Sequence, residues 1–155
     1  MSLDTANTPP FLALSELAAR LKAAGIPFAL GGSAVLAHYG LETQVRDWDV
    51  TTEGSWNQIA PLLKDWDHEV QKPSGIYATN FLCKISLHGA SIDLMSGFAV
   101  RTADGGIYNV ATVAADVWRG IPVGSPEIWQ KAYALMGRDD QAARLAEYLK
   151  TRTTP

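Results

Sequence analysis

Cysteine is almost missing: Cys83 is the only one in 155 residues. A single thiol closes no internal disulfide and builds no cysteine-based zinc site, so a reducing cytoplasm suits the chain. Charge is sparse as well. Charged residues make up 19% of the sequence and the net charge is −3, which argues against the broad basic surface of nucleic-acid binders, whose domain pI is usually above ~9. No apolar run is long enough to span a bilayer, and no basic stretch followed by a signal-type apolar segment opens the chain, so no membrane partner is expected. Long repeats and low-complexity segments are absent too. What is plentiful is apolar side chain, at 47%. That fraction and this length point to a globular fold with one core, expected as a single domain over residues 9–150.

The chain is organised around Leu30-Gly31-Gly32-Ser33-Ala34-Val35-Leu36-Ala37-His38-Tyr39-Gly40. The apolar run Ile26–Leu30 reads as a strand that stops at two glycines. Ser33 stands where a helix N-cap belongs, Ala34–Tyr39 is short and helix-compatible, and Gly40 suits the C-terminal stop. A helix start behind a glycine turn offers free N–H groups and a positive dipole end, and glycine lets phosphate approach the backbone. Shortly afterwards comes Asp47-Trp48-Asp49-Val50. Alternate residues of a strand share a face. Asp47 and Asp49 therefore point one way, and Trp48 and Val50 point into the core. Two carboxylates on one face repel unless a cation joins them, and hard oxygens of this kind suit Mg²⁺ held together with substrate phosphates.

The remaining elements follow from periodicity and punctuation. Met1–Thr8 is polar and expected to be disordered. Pro9-Pro10 opens a helix over Phe11–Ala24, with Leu14, Leu17 and Leu21 on one face and Gly25 as its stop. A helix from Gly54-Ser55 to about Lys64 is interrupted by Pro61. His68–Gln71 is extended and Lys72–Gly75 turns. Ala78–Leu87 and Ala90–Met95 form a hairpin around His88-Gly89, and Thr102–Gly106 is a turn. Val117–Val123 reads as a last strand or edge segment, with Pro122 favouring an edge. Ser125 caps a helix over Pro126–Met136, Gly137 breaks it, and a final helix covers Asp139–Lys150 with Ala142, Leu145 and Leu149 inward. The expectation is an α+β domain: a mixed, bent sheet flanked by helices, with the carboxylate face open. The five tryptophans read as packing residues, and His38 and Tyr39 as packing or capping the short helix.

Taken singly, these signals are ordinary. Gly-Gly-Ser is most often a turn, Asp-x-Asp often faces water, and an apolar-flanked Asp93 can be structural. Their order on strand-turn-helix, strand and strand is what carries information. Leu30-Gly31-Gly32-Ser33, then Asp47-Trp48-Asp49 with its first aspartate fifteen residues after Gly32, then Ser91-Ile92-Asp93-Leu94-Met95 resemble the signature of the nucleotidyltransferase superfamily, the fold of the DNA polymerase beta catalytic core. The likeness is to the small bacterial branch of minimal and abortive-infection-type nucleotidyltransferases, whose late helix reads Pro-Glu, Lys, then a basic-Asp pair. Pro126-Glu127, Lys131 and Arg138-Asp139 match it, so the resemblance runs from Ile26 to Leu149. One departure stands out. The branch usually has Arg and Thr four and two residues before the first aspartate; here those positions are Thr43 and Val45, and the base is Arg46.

The resemblance implies a metal-dependent nucleotidyltransferase that moves a nucleoside monophosphate from a nucleoside triphosphate to a hydroxyl acceptor, releasing pyrophosphate. The acceptor is a small molecule, a protein or an RNA. It implies Asp47, Asp49 and Asp93 as catalytic residues and ligands of two Mg²⁺ ions, and Gly31, Gly32, Ser33, Arg46 and Lys131 as nucleotide contacts. A helix lysine such as Lys131 reaches phosphate only if its face meets the cleft, and Arg138-Asp139 reads as a local charge pair. The alternative is an antitoxin-like or nucleotide-binding interaction module with little catalysis. A protein partner or a homodimer fits either reading, because so short a chain leaves little room for an acceptor domain.

Overall fold

Pro10 precedes the first helix, α1 (Phe11–Ala23), which buries Ala13, Leu14, Leu17, Ala18 and Leu21 and ends before Gly25 at φ +69°. This computed structural model describes residues 2–153. The next elements are β1 (Phe28–Gly31), α2 (Ser33–His38) and β2 (Trp48–Thr52). α3 (Trp56–Ile59) starts at a Ser55–Gln58 capping box and gives way to a 3₁₀ turn over 60–63. Pro61 forces the change, because it brings no N–H to an α-helical ladder. β3 (Asp67–Gln71), β4 (Phe81–Leu87) and β5 (Ala90–Ser96) follow. His88 and Gly89 take φ of 50° and 78° at the β4–β5 turn. β6 (Ala99–Arg101) and β7 (Ile107–Asn109) form a small separate ribbon. β8 (Ala114–Trp118), β9 (Ile121–Gly124), α4 (Pro126–Leu135) and α5 (Asp139–Thr153) complete the chain. Among the described residues no helix is long and apolar enough to cross a membrane.

The main sheet has seven strands in the order β3-β4-β5-β2-β1-β9-β8. β2 runs parallel to β5 and β1 parallel to β9, while the other pairs are antiparallel. The fold is the expected α+β arrangement with a mixed sheet. Period two sorts its faces: Trp48, Val50, Ile92 and Leu94 are fully buried together with Leu14, Leu17 and Leu21 of α1. Asp49 and Asp93 alternate with them and lie on the opposite face.

Three local expectations are corrected. Residues 2–8 are not loose. Leu3 is buried in the core, Asn7 bridges to Gln44, and the Asp4 carboxylate accepts a hydrogen bond from Trp118 Nε1 at 2.9 Å. The polar composition hid the single apolar anchor; Met1 lies outside the described residues. Val117–Val123 is not one strand but the end of β8, a turn at Arg119-Gly120, and the start of β9. Both turn residues have positive φ, 51° and 78°, the conformation of a tight hairpin. Pro122 does not mark an edge, since β9 lies between β1 and β8; its register with β1 is set at Leu30↔Val123, beside the proline. Finally, Gly32 rather than Ser33 is the N-cap of α2, and Ser33 is its first helical residue.

Candidate active site

The two glycines at the end of β1 are required for different reasons. A Cβ on Gly31 would overlap the ring of Trp129. Gly32 has φ 62° and ψ −141°, a region essentially closed to other residues, and a Cβ there would overlap Asp49 Oδ2. The turn is thus shaped by α4 on one side and by the Asp49 carboxylate on the other. Gly124, at the end of β9, completes the seat of the Trp129 indole. The Ser33 hydroxyl, next to Gly32, makes no hydrogen bond among the described residues.

Asp49 and Asp93 are direct register partners on the parallel strands β2 and β5. Asp47 is exposed and sits one residue before β2. Burial, then the Asp93 carboxylate, then that of Asp47 push the Asp49 carboxyl from 3.8 up to about 7, against the opposing pull of Arg138 and Lys84. Lys84 faces Asp93 across the β4–β5 pair, with Nζ 3.1 Å from Oδ1. That hydrogen bond, and the field of Asp93, Asp47 and Asp49, hold the ammonium above its ordinary pKa. Among the described residues no three Asp, Glu, His or Cys side chains close on one point as a metal cage. Asp49 and Asp93 lie side by side on two central strands, with Asp47 just before the first of them.

A cavity of about 440 Å³ opens beside them, within the usual range for small-molecule sites. Gly32, Asp49 and Asp93 line it together with Leu82, Met95, Phe98, Tyr77, Trp129, Tyr133 and Met136, and Lys72 and Arg138 bring positive charge to it. Trp129 packs on Phe98 and Tyr133 with ring centroids 5.6 and 5.7 Å away. Burial and the Asp49 charge push the Tyr133 phenol upward, so it stays a neutral donor.

Neither a family model nor a curated protein matches the sequence. Solved structures do. A candidate nucleotidyltransferase from Thermotoga maritima superposes with a TM-score of 0.66 at 23% identity, covering 91% of this chain and 92% of that one. The chain has the nucleotidyltransferase fold. A solution structure of the antibiotic-resistance factor ANT(2'')-Ia aligns with a TM-score of 0.58 at 14% identity, over 89% of this chain and 85% of that one. The crystal structure of ANT(2'')-Ia with adenylyl-2''-tobramycin aligns at 0.50 and 14% identity, over 92% and 98%.

Within this nucleotidyltransferase fold, the residues singled out from sequence separate into two groups. Gly32, Asp49 and Asp93 meet at the cavity, with Asp47 and Ser33 adjoining in sequence. Gly31 is taken up by packing under Trp129. Arg46 is exposed and lies outside the cavity lining. Lys131 is outside it as well, with Nζ 4.6 Å from the Tyr108 ring centroid. His38 Nε2 lies 2.8 Å from Asp116 Oδ2 of β8, also away from the cavity. Sequence reasoning missed Lys84, Tyr133 and the cavity-facing place of Arg138. Lys84 was within reach: a two-residue loop at His88-Gly89 pairs Leu87 with Ala90, and counting outward pairs Lys84 with Asp93.

Proposed function

We propose that this chain transfers a nucleoside monophosphate from a nucleoside triphosphate to a hydroxyl acceptor, releasing pyrophosphate. The observation that carries the reading is the Asp49–Asp93 pair, set on adjacent parallel strands and lining a cavity with aromatic walls. The nucleotidyltransferase fold supports it.

The donor set fits Mg²⁺. Burial, and then the two neighbouring carboxylates, drive Asp49 toward protonation, and a cation at the site relieves the repulsion. The lack of a closed three-carboxylate cage is compatible, because Mg²⁺ is usually held by one or two carboxylates with substrate phosphates and water completing its shell. Asp47 and Asp49 would hold it, beside Asp93. When bound, it would supply positive charge against the negative charge that builds on the phosphate oxygens.

The chain's own residues do the rest. The N–H groups following Gly32 and the free Ser33 hydroxyl take terminal phosphate oxygens. The acceptor oxygen bonds to the α-phosphorus as the bond from that phosphorus to the bridging oxygen breaks, and pyrophosphate leaves with that oxygen. The hydroxyl proton passes to Asp93. Lys84 occupies Oδ1 of that carboxylate, which leaves Oδ2 for the proton. Trp129, Tyr133 and Phe98 exclude water from the cavity wall. The test is label transfer from α-labelled triphosphates to cell extract. Asp93→Asn should keep Mg²⁺-triphosphate binding and lose transfer, and Asp49→Asn should weaken both. Equal transfer by wild type and Asp93→Asn would remove the proton-accepting role.

A further inference from the structure

We propose that the Lys84 ammonium is the resident cation of Asp93, so that the site takes one divalent ion with its nucleotide, at Asp47 and Asp49, rather than two. The proposal rests on the nucleotidyl-transfer reading and narrows it.

Three features of the geometry point this way. First, Lys84 is built in rather than incidental. It is the direct β4 partner of Asp93 on the open face of the sheet, and its Nζ lies 3.1 Å from Asp93 Oδ1. Asp93 is the more sequestered of the two, with 19% of its side chain exposed against 45% for Lys84. The lysine therefore covers the carboxylate, not the reverse. Second, an ion at Asp93 has to share that carboxylate with an ammonium or expel it. Like charges within ~4–6 Å disfavour one another strongly, and Asp93 has only Oδ2 left to offer. Third, Asp47, Asp49 and Asp93 do not close on a common point, as a shared ion beside Asp93 requires. Lys84 is thus a positioning residue: it neutralises Asp93 and orients it, leaving Oδ2 turned to the acceptor.

The experiment counts ions. The full chain is titrated with Mn²⁺ in the presence of a non-hydrolysable triphosphate analogue, and bound ions are counted by electron paramagnetic resonance. Wild type and Lys84→Arg should each bind one ion per chain. Lys84→Met should bind a second, and its nucleotide-free affinity for Mn²⁺ should rise about tenfold on losing the like charge. Two ions in wild type overturn the role of Lys84 and leave the nucleotidyl-transfer site standing. One ion in both wild type and Lys84→Met, at unchanged affinity, overturns it as well. Absence of any Mn²⁺–nucleotide binding by wild type removes the proposed site itself. The wild-type count decides even if Lys84→Met folds poorly.

Discussion

Asp49→Asn should stabilise the metal-free protein above neutral pH. The Asp49 carboxyl is raised from 3.8 to about 7, first by burial and then by Asp93 and Asp47. A group whose pKa rises on folding stabilises the native state fully below its unfolded pKa. That contribution is lost as pH climbs through the folded pKa. The metal-free protein should therefore lose stability between about pH 4 and pH 7. At roughly 1.36 kcal/mol per pKa unit, the full swing is about 4 kcal/mol. Relaxation around the ionised carboxylate, and the imperfect fit of an amide beside Gly32, reduce the gain expected from the substitution to about 2 kcal/mol. For a domain of this size that is a rise of about 4–8 °C in Tm. The assay is calorimetry of wild type and Asp49→Asn without metal at pH 4, 6 and 8. The gain should be near zero at pH 4 and largest at pH 8, and Mg²⁺ with a triphosphate should stabilise wild type more than Asp49→Asn. A gain equal at pH 4 and pH 8 would assign the effect to packing. No gain at pH 8 would refute the electrostatic account.

Gly31→Ala drives a methyl into the Trp129 ring and should cost about 1–3 kcal/mol in urea unfolding; Gly32→Ala should cost a similar amount through its φ and, by displacing the Asp49 carboxylate, should also weaken nucleotide binding measured by fluorescence titration. The cavity lining carries no acidic side chain beyond Asp49 and Asp93 and adds Lys72 and Arg138, so a polycationic aminoglycoside finds little to pair with. Incubation with tobramycin and labelled triphosphates should yield no labelled tobramycin, and a labelled product would show that the acceptor binds outside this cavity.

The parts of the molecule legible in sequence are those governed by local period and punctuation. Alternation around Asp47-Trp48-Asp49 and Ile92-Asp93-Leu94 places Trp48, Val50, Ile92 and Leu94 inside, where the structure has them. Gly40, at φ 79°, closes α2 as expected. The illegible parts depend on what lies across the fold. The Lys84–Asp93 pair is legible only by counting outward from the two-residue loop at His88-Gly89, not from any residue beside either of them. The Arg119-Gly120 turn lacks the Asn-Gly or Asp-Gly signal that would have split β8 from β9. Lys131 has the right spacing on its helix, yet its direction is set by Tyr108 of β7, a strand too short to read from its own residues. The docking of residues 2–8 rests on Leu3 and on hydrogen bonds to Thr43 and Val45, partners far away in the chain.

The seat of Trp129 has a consequence for how this chain can vary. Gly31, Gly124 and Trp129 are separated by up to about a hundred positions, yet they fill one volume. A methyl at position 31 is opposed only by the indole. Once a smaller ring stands at 129, the first glycine is freed from that clash, while Gly124 also presses on the Leu30 carbonyl and stays constrained. Among relatives, alanine at position 31 should accompany loss of the tryptophan, and the two replacements made together should cost less than the sum of each made alone.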